Sequence, residues 1–208
     1  MSEPQIRQAK NNIERKETYS YQLAKYKKAM REGFYFEALM IVYAMLEDRL
    51  KSFLYYSGAL LTRNGKMKPC TKTKADLRII LTQEFSEKEP FRMSTIIGKM
   101  KLIRAIIEWS ASVELNEMEA STYMCYLKRE MESIDIGGIL SVLNELEVWL
   151  KYRNEVMHAA MNKNIVALFE NLPDKIVQGM EYARYIDSQV KILKKNNKIR
   201  KAMKLQNN

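Results

Sequence analysis

The segment RNEVMH, residues 153–158, holds the side chains best suited to acid–base and anion chemistry. His158 is the only histidine of the chain, and imidazole is the side chain whose ordinary pKa lies nearest neutrality. On a helix, Asn154 and His158 are about 40° apart, whereas Arg153 lies about 140° from His158 and reaches round with its long side chain. The three polar groups can therefore converge on one anion. A proton carrier, a permanent cation and an orienting amide are the parts that phosphodiester cleavage needs.

The same residues also fit a purely structural role. In that case His158 is a half-exposed residue that ends a helix face, and Arg153 pairs with a nearby carboxylate such as Glu147. Glu47 interrupts the apolar stripe of an earlier helix and can act indirectly by holding Arg153 in place. An ion pair between Glu47 and Lys51, four residues further on, is the favoured alternative.

Other catalytic and ligand-binding chemistries have little support. One histidine and two cysteines, Cys70 and Cys125, do not make a zinc-binding set, so we expect no metal and no cofactor. Gly137-Gly138 lacks the downstream Lys-Ser/Thr and the preceding strand of a phosphate-binding loop. A nucleophilic pair of either cysteine with His158 stays open, although a buried cysteine more often acts as a small hydrophobe.

The elements that must position these residues are predicted to be helices. The 208 residues include only 7 glycines and 4 prolines, and Leu, Ile, Met, Ala, Lys and Glu favour helix. Apolar residues recur at spacings of three and four over 34–54, 96–109, 139–150 and 173–193, and no convincing strand appears. These patterns predict an all-α fold, an antiparallel up-and-down helical bundle with extra N-terminal and inserted helices.

Glycine and capping residues indicate where the helices end. Gly33 and Gly58 bracket the helix over 34–54, the segment RNGKMKPCTKTK at 63–74 is expected to be a loop, and Gly137-Gly138 is expected to break the chain. Ser94 or Thr95 is predicted to cap the following helix. The other expected helices are a first one over about 6–30, a short one from Asp76 to near Phe85, one from about Glu114 to Met131, and a final one opened by Pro173.

Positive charge is concentrated in two segments. The chain has 35 Lys and Arg against 25 Asp and Glu, a net charge of +10. Residues 61–80 carry 6 − 1 = +5 and residues 191–208 carry +7, so the rest carries 10 − 12 = −2. Such segments suit a polyanion such as RNA, although basic residues kept for solubility are an open alternative. The candidate RNA-binding residues are Lys191, Lys194, Lys195, Lys198, Arg200 and Lys201.

The size and hydropathy favour one cytoplasmic domain. We expect a single helical domain over residues 1–208, with a core at about 20–195 and a basic C-terminal tail at 196–208. The longest apolar run, Ala38 to Leu46, is shorter than the roughly 18 residues of a membrane-spanning helix. The N-terminal sequence MSEPQIRQAK has no apolar signal region, and two distant cysteines do not make a disulfide framework.

The segment RNEVMH resembles the R-x4-6-H signature of the HEPN superfamily (higher eukaryote and prokaryote nucleotide-binding), in which a polar residue, commonly Asn, follows the Arg. The stretch REGFYFEALMIVYAMLEDRLKSFL is similar to the long helix that precedes the motif helix in HEPN proteins. The likeness spans about residues 20–195, and the six-residue motif is its specific part. HEPN toxins that are paired with nucleotidyltransferase antitoxins usually have Tyr two places after the His, where this chain has Ala160.

The resemblance implies a function as well as a fold. Many HEPN proteins are metal-independent endoribonucleases that act as homodimers with both motifs at one cleft, and others are inactive and bind nucleotides or partners. The resemblance implies Arg153 and His158 as the catalytic pair, Asn154 as a positioning residue, RNA as substrate, and an antitoxin or regulatory protein as a further partner. In the reaction expected from these residues, the 2′-hydroxyl attacks the phosphate and a 2′,3′-cyclic phosphate is left.

Overall fold

The computed structural model describes residues 12–63, 66–81, 94–115, 120–159 and 169–205. These residues are mostly helical, so the predicted all-α fold is confirmed. The short strands β1 (Leu60–Arg63) and β2 (Lys66–Pro69) form an antiparallel pair. The helices are α1 (Asn12–Glu32), α2 (Tyr35–Tyr56), α3 (Lys74–Leu81), α4 (Ile96–Ser112), α5 (Thr122–Met131), α6 (Ile136–Ala159), α7 (Leu172–Asn196) and α8 (Lys198–Ala202).

Helix α2 lies at the centre of the fold. Its apolar residues, predicted from their spacing, are buried along the whole helix, from Ala38 to Leu54. A hydrophobic stripe of this kind is stable only when neighbouring elements cover it. Helices α1, α4 and α7 pack around α2, so most of its surface is removed from water.

Helices α2 and α7 run in the same direction and approach each other closely. Val42 lies beside Gly179, and seven residues further along α2 the guanidinium of Arg49 pairs with Asp187 at 2.8 Å. A Cβ atom at Gly179 would lie 2.6 Å from the Trp149 ring and 2.8 Å from Val42. Glycine is therefore needed here because α2, α6 and α7 meet at this point.

Several predicted boundaries are confirmed. Gly33 and Gly58 flank α2 with positive φ angles of 76° and 77°, which glycine adopts without steric cost. Thr95 caps α4, because its hydroxyl accepts a hydrogen bond from the Gly98 amide at 3.0 Å. Pro173 lies in the first turn of α7.

Three local predictions are wrong. The expected loop at 63–74 contains strand β2 and the start of α3. Gly137-Gly138 does not break the chain but lies inside α6, whose first turn is capped by the Asp135 carboxylate accepting from the Gly138 amide at 2.9 Å. The helix expected from Glu114 begins instead at Thr122, after the N-cap Ser121. Phe85, the expected end of the third helix, lies outside the described residues.

The C-terminal segment is part of the folded structure over the described residues, and the expected tail is corrected accordingly. Residues 198–202 form α8, and both Ile199 and Leu205 are buried. Arg200 is only 6% exposed. Its guanidinium stacks on the Tyr55 ring at 3.6 Å and donates to the carbonyl of Leu205 at 2.8 Å. Apolar burial and these contacts hold the segment against the end of α2.

The close approach at Gly179 gives a first prediction. Replacing Gly179 by Ala should lower the free energy of unfolding by about 1–3 kcal/mol, because the added methyl group overpacks the contact with Trp149 and Val42. Gly137→Ala is the matched control, since Gly137 lies in α6 with nothing nearer than 3.9 Å to the new Cβ. That variant should be neutral or stabilising by up to about 1 kcal/mol. Urea unfolding of both variants measures the difference, and equal stabilities would contradict the packing described.

Candidate active site

The last two turns of α6 carry the three residues of the predicted catalytic set. Trp149 and Val156 are buried on one side of the helix, because apolar residues seven positions apart return to the same face. Asn154 and His158 are consequently exposed, and Arg153 is half-buried between the two faces. The helix thus presents an amide and an imidazole to solvent and directs a guanidinium toward α2.

Arg153 is held on a platform formed by α2. Its guanidinium carbon lies 4.3 Å from the centre of the Tyr43 ring, a cation–π distance. Its Nη2 group donates to the sulfur of Met40 at 3.2 Å, and its Nη1 group donates to the side-chain oxygen of Asn154 at 3.1 Å. The structure therefore brings Arg153 and Asn154 together.

Arg153 has no carboxylate partner among the described residues. The acid proposed for that role, Glu147, instead pairs with Lys151 at 3.8 Å. The Nε atom of Arg153 is buried and has no hydrogen-bond partner in the described part of the chain. The positive charge of this guanidinium is therefore not neutralised by any acid described here, which leaves it able to stabilise an anion.

His158 lies in the last turn of α6 and is exposed. Its imidazole makes no hydrogen bond to another described residue, and it is not joined to Arg153 by a direct contact. The helix geometry keeps the two side chains about 140° apart around the axis. An anion that contacts both must therefore be reached by the long side chain of Arg153. Ala160, which follows the motif, lies outside the described residues.

Glu47 does not contact Arg153, so the proposed indirect role for Glu47 is wrong. Its Oε1 atom lies 2.9 Å from the ammonium of Lys51, the favoured alternative, and 3.1 Å from that of Lys99. The Lys99 ammonium also donates to the Thr95 carbonyl at 3.1 Å. Because Lys99 is only 1% exposed, Glu47 serves as the counterion of a buried lysine and joins α2 to α4.

The titration of this ion pair follows from its burial. Burial raises the pKa of Glu47, but hydrogen bonds and charges from Lys51 and Lys99 outweigh it, so the pKa lies below its usual value. Burial lowers the pKa of Lys99, and the nearby carboxylate opposes this change only in part. The lowered pKa keeps the Glu47 carboxylate ionised at neutral pH.

The predicted RNA-binding residues fall into three groups. Arg200 is buried and donates to backbone carbonyls, so its guanidinium is used within the fold and we remove it from the RNA-binding set. Lys191 pairs with Asp187 at 2.8 Å, and Lys198 lies 4.0 Å from Glu130. The third group, which is exposed and has no carboxylate partner in the described segments, comprises Lys194, Lys195 and Lys201.

The structure also shows the surroundings of the residues considered for a cysteine nucleophile or a metal site. Cys70 is buried and Cys125 is partly buried, and both are free thiols. Neither cysteine makes a hydrogen bond to His158 within the described residues. Over the same residues, no group of three or more His, Cys, Asp or Glu side chains is arranged to hold a metal ion.

Sequence reasoning missed Met40 and Tyr43, the residues that support Arg153. Both lie on α2, 113 and 110 positions before Arg153, three residues apart and therefore on neighbouring parts of one helix face. Met40 is 42% exposed, although it lies within the longest apolar run of the chain. An exposed methionine beside a tyrosine is a weak signal, because apolar residues at helical spacing more often indicate core packing.

The comparisons with known proteins provide no functional assignment. Comparisons with protein-family models, with curated proteins and with solved structures found no match. Within the described residues, no helix has the length and hydropathy needed to span a bilayer.

The ion pair at Glu47 gives a second prediction. Glu47→Gln should lower the free energy of unfolding by about 1–3 kcal/mol at neutral pH, because it leaves the buried Lys99 ammonium without its counterion. Since the folded-state pKa of Glu47 is below its unfolded value, the stabilisation is present above the unfolded pKa and is lost as the pH falls through the lowered folded pKa. The free energies of unfolding of wild type and variant should therefore become equal at acid pH.

Lys51→Gln is the control for this prediction, because Lys51 is a more exposed partner of the same carboxylate. Its effect should stay below about 1 kcal/mol. Thermal unfolding at several pH values measures all three proteins. A Glu47→Gln variant as stable as wild type at pH 7 would contradict the counterion role.

Proposed function

We propose that this chain is a metal-independent endoribonuclease of the HEPN type that cleaves RNA to leave a 2′,3′-cyclic phosphate. The observation that carries the proposal is the state of Arg153, a guanidinium stacked on Tyr43 with no carboxylate partner among the described residues. A guanidinium held in this way is preorganised for a phosphate, because no resident acid has to be displaced. Asn154 and His158 lie exposed on the same end of α6, where a bound phosphate can reach them.

The roles of the residues follow from their chemistry. The 2′-hydroxyl oxygen of the ribose attacks the phosphorus, and the bond to the 5′ oxygen of the next nucleotide breaks. His158 takes the 2′-hydroxyl proton or gives a proton to the leaving 5′ oxygen, and Arg153 stabilises the charge of the crowded phosphate. Asn154 accepts from Nη1 of Arg153 at 3.1 Å and so helps to orient it. DNA resists cleavage because it has no 2′-hydroxyl.

The reaction has two proton transfers, and each chain has one histidine. A homodimer that joins two α6 ends at one cleft supplies an imidazole for each transfer, in agreement with the resemblance. We propose a cytoplasmic location, and the resemblance implies a role in a toxin–antitoxin or defence system with an antitoxin or regulatory protein as partner. The competing proposal is a catalytically inactive module of the same fold that binds RNA, a nucleotide or a protein.

Cleavage of RNA in EDTA provides the third prediction. His158→Ala should lower the cleavage rate by about 10²- to 10⁴-fold through loss of proton transfer. Arg153→Ala should lower it by about 10²- to 10³-fold through loss of charge stabilisation. Asn144→Ala, an exposed substitution on the same helix, is the control and should cleave like wild type.

The products distinguish the enzyme from the inactive module. Fragments that end in 2′,3′-cyclic phosphate and 5′-hydroxyl support the proposal, provided that all three variants melt at similar temperatures. A His158→Ala variant that cuts RNA at the wild-type rate shows that His158 is not the proton carrier. RNA that is bound but stays intact with wild type favours the inactive module.

A further inference from the structure

Two basic segments that are far apart in the sequence meet in the structure. The Lys72 ammonium donates to the carbonyls of Met203 at 3.2 Å and Lys204 at 3.4 Å. The Arg200 guanidinium donates to the carbonyl of Leu60, at the start of β1, at 3.3 Å. The end of α8 therefore lies against the strand pair and the start of α3, which makes one continuous surface from both segments.

The two segments together carry a charge equal to the net charge of the whole chain. Residues 66–78 contain five Lys and Arg and one Asp, which gives 5 − 1 = +4, and residues 194–205 contain six Lys and Arg and no acid, which gives +6. Their sum of +10 equals the net charge of the chain, so the rest sums to 10 − 10 = 0. Like charges brought together repel each other, and an anionic partner relieves that repulsion.

Several cations on these segments are free to bind such a partner. Lys68, Lys74, Arg78, Lys201 and Lys204 are exposed, and none of them pairs with a carboxylate elsewhere in the described structure. We call these five side chains the basic surface. Long exposed cations without resident acids suit phosphate groups, because binding releases the counterions condensed on a nucleic acid.

The basic surface is separate from the catalytic set. Arg153 contacts α2 at Met40, whereas Arg200 holds the basic segments to α2 at Tyr55. These α2 residues are 15 positions apart, which corresponds to about 22 Å along the helix axis and about 60° around it. Most of α2 is covered, but Ala44 and Asp48 are exposed between these two positions, so one strand of nucleic acid can follow this exposed stripe of α2 from one site to the other.

We propose that the basic surface is a second RNA-binding site, which holds the phosphate backbone of a substrate whose scissile phosphate lies at Arg153. The choice of RNA rests on the proposed function, whereas the binding of a phosphate backbone rests on the charge arrangement alone. At about 3.4 Å per stacked nucleotide, the separation of about 22 Å corresponds to about six nucleotides. A stacked RNA shorter than this can occupy only one of the two sites.

Binding is tested first, in the His158→Ala background and with a 20-nucleotide single-stranded RNA as probe. Lys201→Ala/Lys204→Ala should weaken binding about 10-fold near 0.15 M salt and reduce the slope of log K against log salt by about 1.4, because two phosphate contacts are lost. Lys16→Ala/Lys27→Ala removes the same charge from exposed positions on α1 and should change neither value appreciably. Equal weakening by both pairs would overturn the proposal.

Cleavage of RNAs of different length is tested second, with His158 intact. The Lys201→Ala/Lys204→Ala pair should lower kcat/KM for a 20-nucleotide RNA and leave kcat/KM for a four-nucleotide RNA unchanged. An equal loss on both lengths, or none on either, would overturn the second site while leaving the nuclease proposal standing. Salt-dependent binding through the basic surface without any cleavage would instead contradict the nuclease proposal and support the binding surface.

Discussion

The packing of α2 against α7 is the constraint on which the other features depend. Gly179 lets Val42 of α2 and the Trp149 ring of α6 both pack against the backbone of α7, and this fixes α6 beside the other two helices. From that arrangement, α2 supports Arg153 near its beginning and Arg200 near its end. A shift of α2 along α7 would therefore change the catalytic set and the basic surface together, because both are built on the same helix.

Three arginines in the described part of the chain are stacked on tyrosine rings, and their remaining partners separate structural roles from functional ones. Arg49 lies 4.4 Å from the Tyr19 ring and is paired with Asp187, and Arg200 is surrounded by backbone carbonyls. In both cases resident acceptors pair with the guanidinium and join distant parts of the chain. Arg153 has the same stacking but no acid among the described residues. That difference makes it the arginine whose charge is available to a ligand.

The helices of this protein were predictable because their signals are local. The periodic apolar residues of α2, the cap Thr95 and the N-terminal Pro173 act within about one or two turns of helix. The prediction that Gly137-Gly138 breaks the chain was wrong for a physical reason. The turn signal of two glycines was overridden by the Asp135 cap, and the small size of Gly138 lets Tyr185 of α7 approach and donate to Asp135 at 2.7 Å. The signal of the strand pair is local as well, because Asn-Gly between two short runs is typical of a β-hairpin, but Asn64-Gly65 was interpreted as part of a loop.

For the candidate site, the sequence by itself determined which residues form the proposed catalytic set, their spacing on a helix and the total charge of each basic segment. Only the tertiary structure decided that Arg153 rests on Tyr43 and Met40, that Glu47 serves Lys99, and that the two basic segments form one surface. The physical reason is the distance along the chain over which each kind of signal acts. Residue type and helical period act over a few positions, whereas the pairing of side chains 52 or 113 positions apart depends on how the helices pack.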